Sequence, residues 1–177
     1  MGQRDLDSER LLDETGWRIL RELQEGARVT LSELGRRVAL TPPAVAERIR
    51  RMEETGLITG YRAEVDLERL GLPITAFIRW TAGRGTDCKS LGDVTQDIPE
   101  VLECHRVTGE ESYMVKVAVR SVEHLQDLID RMMPYGETTT SIVLSSPVTN
   151  RVVGPPEELF EDQPPQPADS PRRRTAS

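Results

Sequence analysis

Between Thr41 and Arg51 the chain reads TPPAVAERIRR, and its polar residues are spaced as a surface that reads a nucleic acid requires. On a helix, Val45, Ile49 and Met52 fall at i, i+4 and i+7 and form a buried stripe. Pro43, Glu47, Arg50 and Arg51 then point the other way, flanked by Ala44 and Arg48. Arginine suits both tasks of such a face, because its planar fork takes guanine O6 and N7 together or grips a phosphate. Glu47 can accept from cytosine N4 or orient Arg51 one turn on.

The flanking residues supply the elements that must position this face. Thr30 is expected to cap a first helix, with Glu33 at capping-box spacing and Leu31, Leu34 and Val38 on one side. Ala39 and Leu40 turn the chain. Thr41 is expected to cap a second helix, and Pro42 and Pro43 occupy first-turn positions whose backbone donors have no intrahelical partner. That helix should end at Thr55 and Gly56, where glycine accepts the left-handed cap conformation. A helix-turn-helix presents its second helix to the major groove of double-stranded DNA. Thr41, Pro43, Ala44, Glu47, Arg48, Arg50 and Arg51 are therefore the expected DNA contacts.

Upstream, Asp13 can cap a supporting helix with Trp17, Leu20 and Leu23 in its stripe, Ile19 adding to it and Gly26 closing it. Downstream, residues 57–65 read as a short extended wing that brings Tyr61 and Arg62 near the DNA backbone. Residues 12–65 thus form an expected winged helix-turn-helix domain, followed by a linker over residues 66–73.

The formal net charge of −7 conflicts with DNA binding only as a whole-chain average. Residues 28–62 carry seven Arg against four Glu, a local +3, while residues 63–177 contribute −7 and the N-terminal remainder −3. The local field governs DNA contact, and the acidic remainder favours solubility. Cys88 and Cys104 are the two cysteines, with no CxxC spacing, so neither a disulfide scaffold nor a zinc site is expected, and reduced thiols are. No apolar run approaches membrane-spanning length and the first ten residues lack a signal-peptide core. A cytoplasmic protein with no membrane association, metal or cofactor is the expectation.

From Ile74 the period changes to that of strands. Residues 74–81, 101–107, 113–119 and 138–145 read as strands, residues 89–96 and 122–132 as helices, and residues 82–87 as a loop. The order βαββαβ points to an α+β, ferredoxin-like sandwich with both helices on one face of an antiparallel sheet, over residues 74–152. The strands MVKVAV and SIVLS place apolar residues on both alternating sets, so the face away from the helices should also leave water, in a sheet-to-sheet homodimer. Residues 153–177, rich in Pro and acidic residues, are expected to be a disordered tail. Arg172 to Arg174 within it can touch phosphate but read as a solvated end.

With LDETGWRILRELQEGARVTLSELGRRVALTPPAVAERIRRMEETGLITGYRAEVD, PEVLECHRVTGEESYMVKVAV and TTTSIVLSS in that order, the chain resembles the leucine-responsive regulatory protein and AsnC family of transcription regulators, from about Leu12 to about Val152. The resemblance implies a homodimer, often built further into octamers, that binds DNA through its N-terminal domain. It also implies sensing of an amino acid or related small metabolite at a subunit interface. By position, that effector pocket involves Thr108, Gly109, Glu110, Glu111 and Ser112 in one turn, and Thr138, Thr139, Thr140 and Ser141 at the hydroxyl-rich start of the last strand. Members commonly carry Gly-x-x-Asp where this chain has Gly109 to Ser112, so a carboxylate able to hold a ligand ammonium is a serine here, with Glu110 or Glu111 as substitutes. Gly16 stands where an acidic residue is usual, at a helix-propensity cost of about 1 kcal/mol at most.

The alternatives are a siroheme-decarboxylase-like tetrapyrrole enzyme, which resembles the same family, and a metabolite-binding module that does not bind DNA. Enzyme chemistry would be sought at Cys104, His105 and Arg106. His105 and His124 are the two histidines of the chain, and no carboxylate, Ser or Lys is spaced around them in a catalytic pattern. No catalysis is expected.

Overall fold

The computed structural model describes residues 9–83, 88–110 and 112–157. The chain divides into two compact units, residues 1–63 with 150–177, and residues 64–149. Among the described residues no helix is long and apolar enough to cross a membrane, and no group of His, Cys, Asp and Glu is placed to hold a metal ion. Most of the expected tail, residues 158–177 with Arg172 to Arg174, lies outside the described residues, as do Glu111 and much of the 82–87 loop.

The first unit is a three-helix assembly of α1 (Glu14–Glu25), α2 (Leu31–Val38) and α3 (Pro42–Thr55). Its core is Leu11, Ile19, Leu34, Val38, Val45 and Met52, with Leu20, Leu23, Leu40 and Ile49 packed against it. Ile19 is the fully buried centre of the α1 stripe, whereas Leu31, expected on the buried face of α2, is exposed. As the first helical residue, Leu31 lies at the rim of that face.

Asp13 Oδ1 accepts from the Gly16 N–H at 2.7 Å and starts α1. Gly16 has a packing role that propensity does not register: a Cβ there would lie 1.8 Å from the Leu11 carbonyl oxygen. Thr30 caps α2 through the Glu33 N–H at 3.2 Å. The reciprocal half of a capping box is absent, because the Glu33 carboxylate is held by Arg36 and Arg37. Ala39 takes the left-handed conformation (φ 58°) between α2 and α3, and the Leu40 N–H returns to the Gly35 carbonyl at 2.9 Å. Gly56 ends α3 at φ 82°.

Residues 57–66, where a short extended wing was expected, form no paired strand. Tyr61 folds back so that its hydroxyl donates to Glu53 Oε1 at 2.9 Å, and burial, helped by that carboxylate, pushes the phenol up to about 12. The expected linker is a turn: Leu70, Gly71 and Leu72 donate to the carbonyls of Asp66, Glu68 and Leu67.

The second unit contains β1 (Ile74–Ala82), α4 (Cys88–Gln96), β2 (Val101–Arg106), β3 (Tyr113–Val119), α5 (Val122–Met132), a 3-10 turn (Met133–Tyr135) and β4 (Gly136–Ile142). The sheet runs β2-β3-β1-β4 with every neighbouring pair antiparallel, which is the ferredoxin-like order. Ala76, Ile78 and Trp80 of β1 and Val115, Val117 and Val119 of β3 share a core with Leu125, Leu128 and Met132 of α5.

β4 begins two residues earlier than its hydroxyl pattern suggests and stops at Ile142, though the Val143 N–H still reaches the Thr75 carbonyl at 2.9 Å. The 3-10 turn delivers the chain directly onto β1. A Cβ at Gly136 would sit 2.1 Å from the Thr81 carbonyl oxygen, so only glycine admits that approach. Glu100 ties α5 to the start of β2, with its Oε1 accepting from Arg131 Nη2 at 2.5 Å and 2.8 Å from His124 Nε2. His124 Nδ1 accepts from the Arg120 N–H at 3.3 Å, so Nε2 is the nitrogen that donates to Glu100 in the neutral ring.

Candidate nucleic-acid interface and effector region

The outward face of α3 carries the residues expected on it. Thr41, Pro43, Ala44, Glu47, Arg50 and Arg51 are exposed, as is Arg62 beyond the helix, while Val45 and Met52 are fully buried beneath. Thr41 occupies the N-cap position, yet its hydroxyl makes no cap hydrogen bond. Pro42 and Pro43 remove the first two backbone donors of the helix, which leaves the hydroxyl at the end of the helix that a groove-inserted α3 would turn toward base edges.

The three arginines of α3 have different surroundings. Arg48 is turned back toward the start of α1, where Nη1 and Nη2 meet Asp13 Oδ1 and Oδ2, each at 2.7 Å. This fork holds the Asp13 carboxyl below its ordinary range and raises Arg48. Arg50 bridges two carboxylates of its own helix, Glu47 at 2.6 Å and Glu54. Glu47, expected to orient Arg51 at i+4, pairs with Arg50 at i+3 instead, and that bond lowers its carboxyl. Arg51 has no ion pair among the described residues and is exposed.

Sequence reasoning did not single out Asp13 as a partner of the reading helix, because 35 residues separate it from Arg48. It also passed over the Arg36–Arg37 pair in the last turn of α2. Arg37 is engaged by Glu33 and Glu22, and its carbonyl accepts from Arg18, whereas the Arg36 side chain is 75% exposed beside Glu33. Two adjacent arginines at the C-terminal end of the first motif helix were the available signal.

In the second unit, the two expected effector segments adjoin one end of β1. The Ser112 N–H donates to the Trp80 carbonyl at 3.0 Å, and Thr138 pairs with Trp80 across the other edge. Thr108, Gly109 and Glu110 are exposed in the β2–β3 turn, with Gly109 at φ 123°. The four hydroxyls do not converge, because strand neighbours alternate between faces. Thr138 and Thr140 pair with Trp80 and Ile78 on the core side, whereas Thr139 and Ser141 pair with Arg79 and Phe77 on the open side. The open side is more polar than the strand pattern suggests, since Lys116 Nζ donates to Glu103 Oε1 at 2.8 Å there. Phe77 is 39% exposed on it.

The sequence patterns of two known domains match this chain: the AsnC-type helix-turn-helix domain over residues 12–53, and the Lrp/AsnC ligand binding domain over residues 75–153. The HTH-type transcriptional regulator YezC of Bacillus subtilis is 43% identical over 135 residues, covering 76% of this chain and 95% of YezC. The leucine-responsive regulatory protein of Escherichia coli is 32% identical, over 80% of this chain and 91% of its own length. Among solved structures, the feast or famine regulatory protein of M. tuberculosis complexed with L-methionine superposes with a TM-score of 0.76 at 34% identity, covering 81% of this chain and 99% of that one.

Proposed function

Because the chain belongs to the Lrp/AsnC family of helix-turn-helix transcription regulators, we propose that α3 is its reading helix and that Arg51, with Thr41, Pro43, Ala44 and Glu47, meets DNA bases. The observation that carries this reading is the outward face of α3, where Arg51 alone of the three arginines is held by no carboxylate among the described residues. Arg50 becomes a phosphate contact by leaving Glu47 and Glu54. Arg62 extends the contact along the backbone. Arg48 acts through Asp13, fixing the angle between the start of α1 and α3. The enzyme alternative is set aside, since the relatives are transcription regulators.

The second unit is proposed to bind an amino acid. The solved relative that holds L-methionine supports this, as does the meeting of the Ser112 turn and the start of β4 around the end of β1. Thr108, Gly109, Glu110 and Ser112 line one side and Thr138 the other. A homodimer, able to build octamers, is proposed from the exposed apolar residues Phe77, Leu102 and Leu144 of this unit, which a second copy would cover. Acting on DNA as a small regulator, the protein works in the cytoplasm.

One experiment tests both halves. Full-length protein is titrated into duplexes selected from a random pool, with and without L-methionine and other amino acids, while its oligomeric state is sized at the same concentrations. Selection of a defined sequence by wild type, lost in Arg51→Ala, supports α3 as reader. Unaltered selection by that variant excludes it. An amino-acid panel that changes neither affinity, size nor melting temperature counts against sensing.

A further inference from the structure

The segment that follows α3 is held back against that helix at two points. At its start, Leu57 and Ile58 pack against the core of the first unit, and the Ile58 N–H donates to the Met52 carbonyl at 3.1 Å. Farther along, the Tyr61 hydroxyl donates to Glu53 Oε1 at 2.9 Å, across eight residues of chain. This second hold is a side-chain bond onto the surface of α3 itself. A hydrogen bond to a carboxylate is stronger than one between neutral groups. Because the phenol is pushed up to about 12, it keeps its proton at neutral pH and stays a donor.

Arg62 is the next residue. It is exposed, it pairs with no carboxylate among the described residues, and it stands just before the first unit ends at Ala63. Successive Cα atoms lie about 3.8 Å apart, so fixing Tyr61 on α3 fixes where the Arg62 side chain starts. Without the hydroxyl bond, the hold at Ile58 would be the next one back along the segment, and the guanidinium would sweep a wider volume. A phenylalanine could cover the same surface as the Tyr61 ring. What the hydroxyl adds is a directional link to a residue of α3.

We propose that Tyr61 is a positioning residue for DNA binding, whose hydroxyl, bonded to Glu53 of α3, sets Arg62 where it meets a backbone phosphate while α3 lies in the groove. The proposal rests on the reading of α3 and Arg62 as DNA contacts. Tyr61 itself touches no phosphate, so its effect passes through Arg62. A guanidinium already in place gives up less freedom on contact than one on a loose chain. The contact is to phosphate, so the gain is the same on every sequence.

The test uses the full chain, titrated over a range of salt against the duplex it selects from a random pool and against an unrelated one. Arg62→Ala should weaken binding to both and make the plot of log affinity against log salt shallower by about 1 per protomer. Tyr61→Phe, which keeps the ring, should weaken both about three- to ten-fold. Added to Arg62→Ala, it should have no further effect, because the two residues act as one. Glu53→Gln and Glu53→Ala carry the same charge, but the glutamine oxygen still accepts from the hydroxyl. The glutamine variant should therefore bind about three- to ten-fold more tightly than the alanine variant, and adding Tyr61→Phe should close that gap. A Tyr61→Phe protein that melts lower but binds like wild type well below its melting temperature would show a role in folding alone and overturn the proposal. So would a Tyr61→Phe loss that persists without Arg62, or wild-type binding in Arg62→Ala. Wild type that binds neither duplex would instead sink the DNA-binding reading beneath it.

Discussion

Arg48→Ala and Arg51→Ala should give opposite phenotypes although the residues lie one turn apart on α3. Arg48 is locked to Asp13 by two bonds of 2.7 Å, with the two side chains 29% and 48% exposed. Partly exposed pairs are worth about 0.2–1 kcal/mol, and the bidentate geometry places this one near the top, about 1 kcal/mol. In a unit of this size that lowers the melting temperature by about 4–8 °C. Asp13→Ala also removes the α1 cap on the Gly16 N–H, worth about 1 kcal/mol more, so it should melt lower still. Asp13→Asn retains the cap and loses only the charge. The double variant Asp13→Ala, Arg48→Ala should melt no lower than Asp13→Ala, because the two residues share one interaction. Arg51→Ala should leave melting unchanged and weaken binding to the selected duplex by about 1–3 kcal/mol. Melting curves and anisotropy titrations on the same set of proteins decide it. Wild-type melting with weakened binding in Arg48→Ala would refute the assignment of Arg48 to positioning, as would unchanged binding in Arg51→Ala the assignment of Arg51 to reading.

Glu47→Gln should release Arg50 and tighten binding to unrelated duplexes several-fold at low salt, with a steeper salt dependence; unchanged non-specific binding would show that the Glu47–Arg50 pair does not restrain the helix. Gly136→Ala should destabilise the second unit by about 1–3 kcal/mol, read by urea unfolding, because the added carbon meets the Thr81 carbonyl. For Glu100, burial pushes the carboxyl up, but the hydrogen bonds from His124 and Arg131 outweigh it and hold it below its ordinary value. Its contribution is therefore present above the ordinary carboxylate pKa of about 4.3 and lost as pH falls through the depressed value. Glu100→Gln should cost about 1–3 kcal/mol at neutral pH and flatten the acid limb of the stability profile, which urea midpoints measured across that range would show.

The helix boundaries of the first unit and the strand order of the second were legible because the apolar period switches cleanly from 3.6 to 2 near Ile74 and because Thr30, Gly26 and Gly56 mark helix ends. Three features were not. Local pattern gives no register, so Thr138 to Ser141 read as one hydroxyl patch until the pairing with β1 divided them between faces. It gives no long-range partner, so Arg48 read as a free base reader until Asp13 closed on it. It also assigns Gly16 only a propensity, whereas the contact that matters is the Leu11 carbonyl, set by how residues 9–11 cross the start of α1.

The carboxylates on α3 give a reason for selectivity in an acidic protein. Every basic residue on a reading helix attracts any duplex, and that sequence-independent attraction competes with specific sites across a whole genome. Here Arg50 begins paired with Glu47 and Glu54, and Arg48 with Asp13. A non-specific phosphate must displace a carboxylate already in place, so it gains little. Arg51 makes no ion pair among the described residues, although the Glu47 carboxylate still attracts it through space, and its fork recovers most where a base edge offers two acceptors. If α3 reads DNA as proposed, selectivity comes from pairing most of its positive charge with carboxylates and leaving one arginine to the base edges. Converting Glu47 and Glu54 both to glutamine should raise non-specific affinity more than specific affinity and narrow the ratio between them. A ratio that stays constant while both affinities rise would mean that the carboxylates only lower overall attraction and take no part in discrimination.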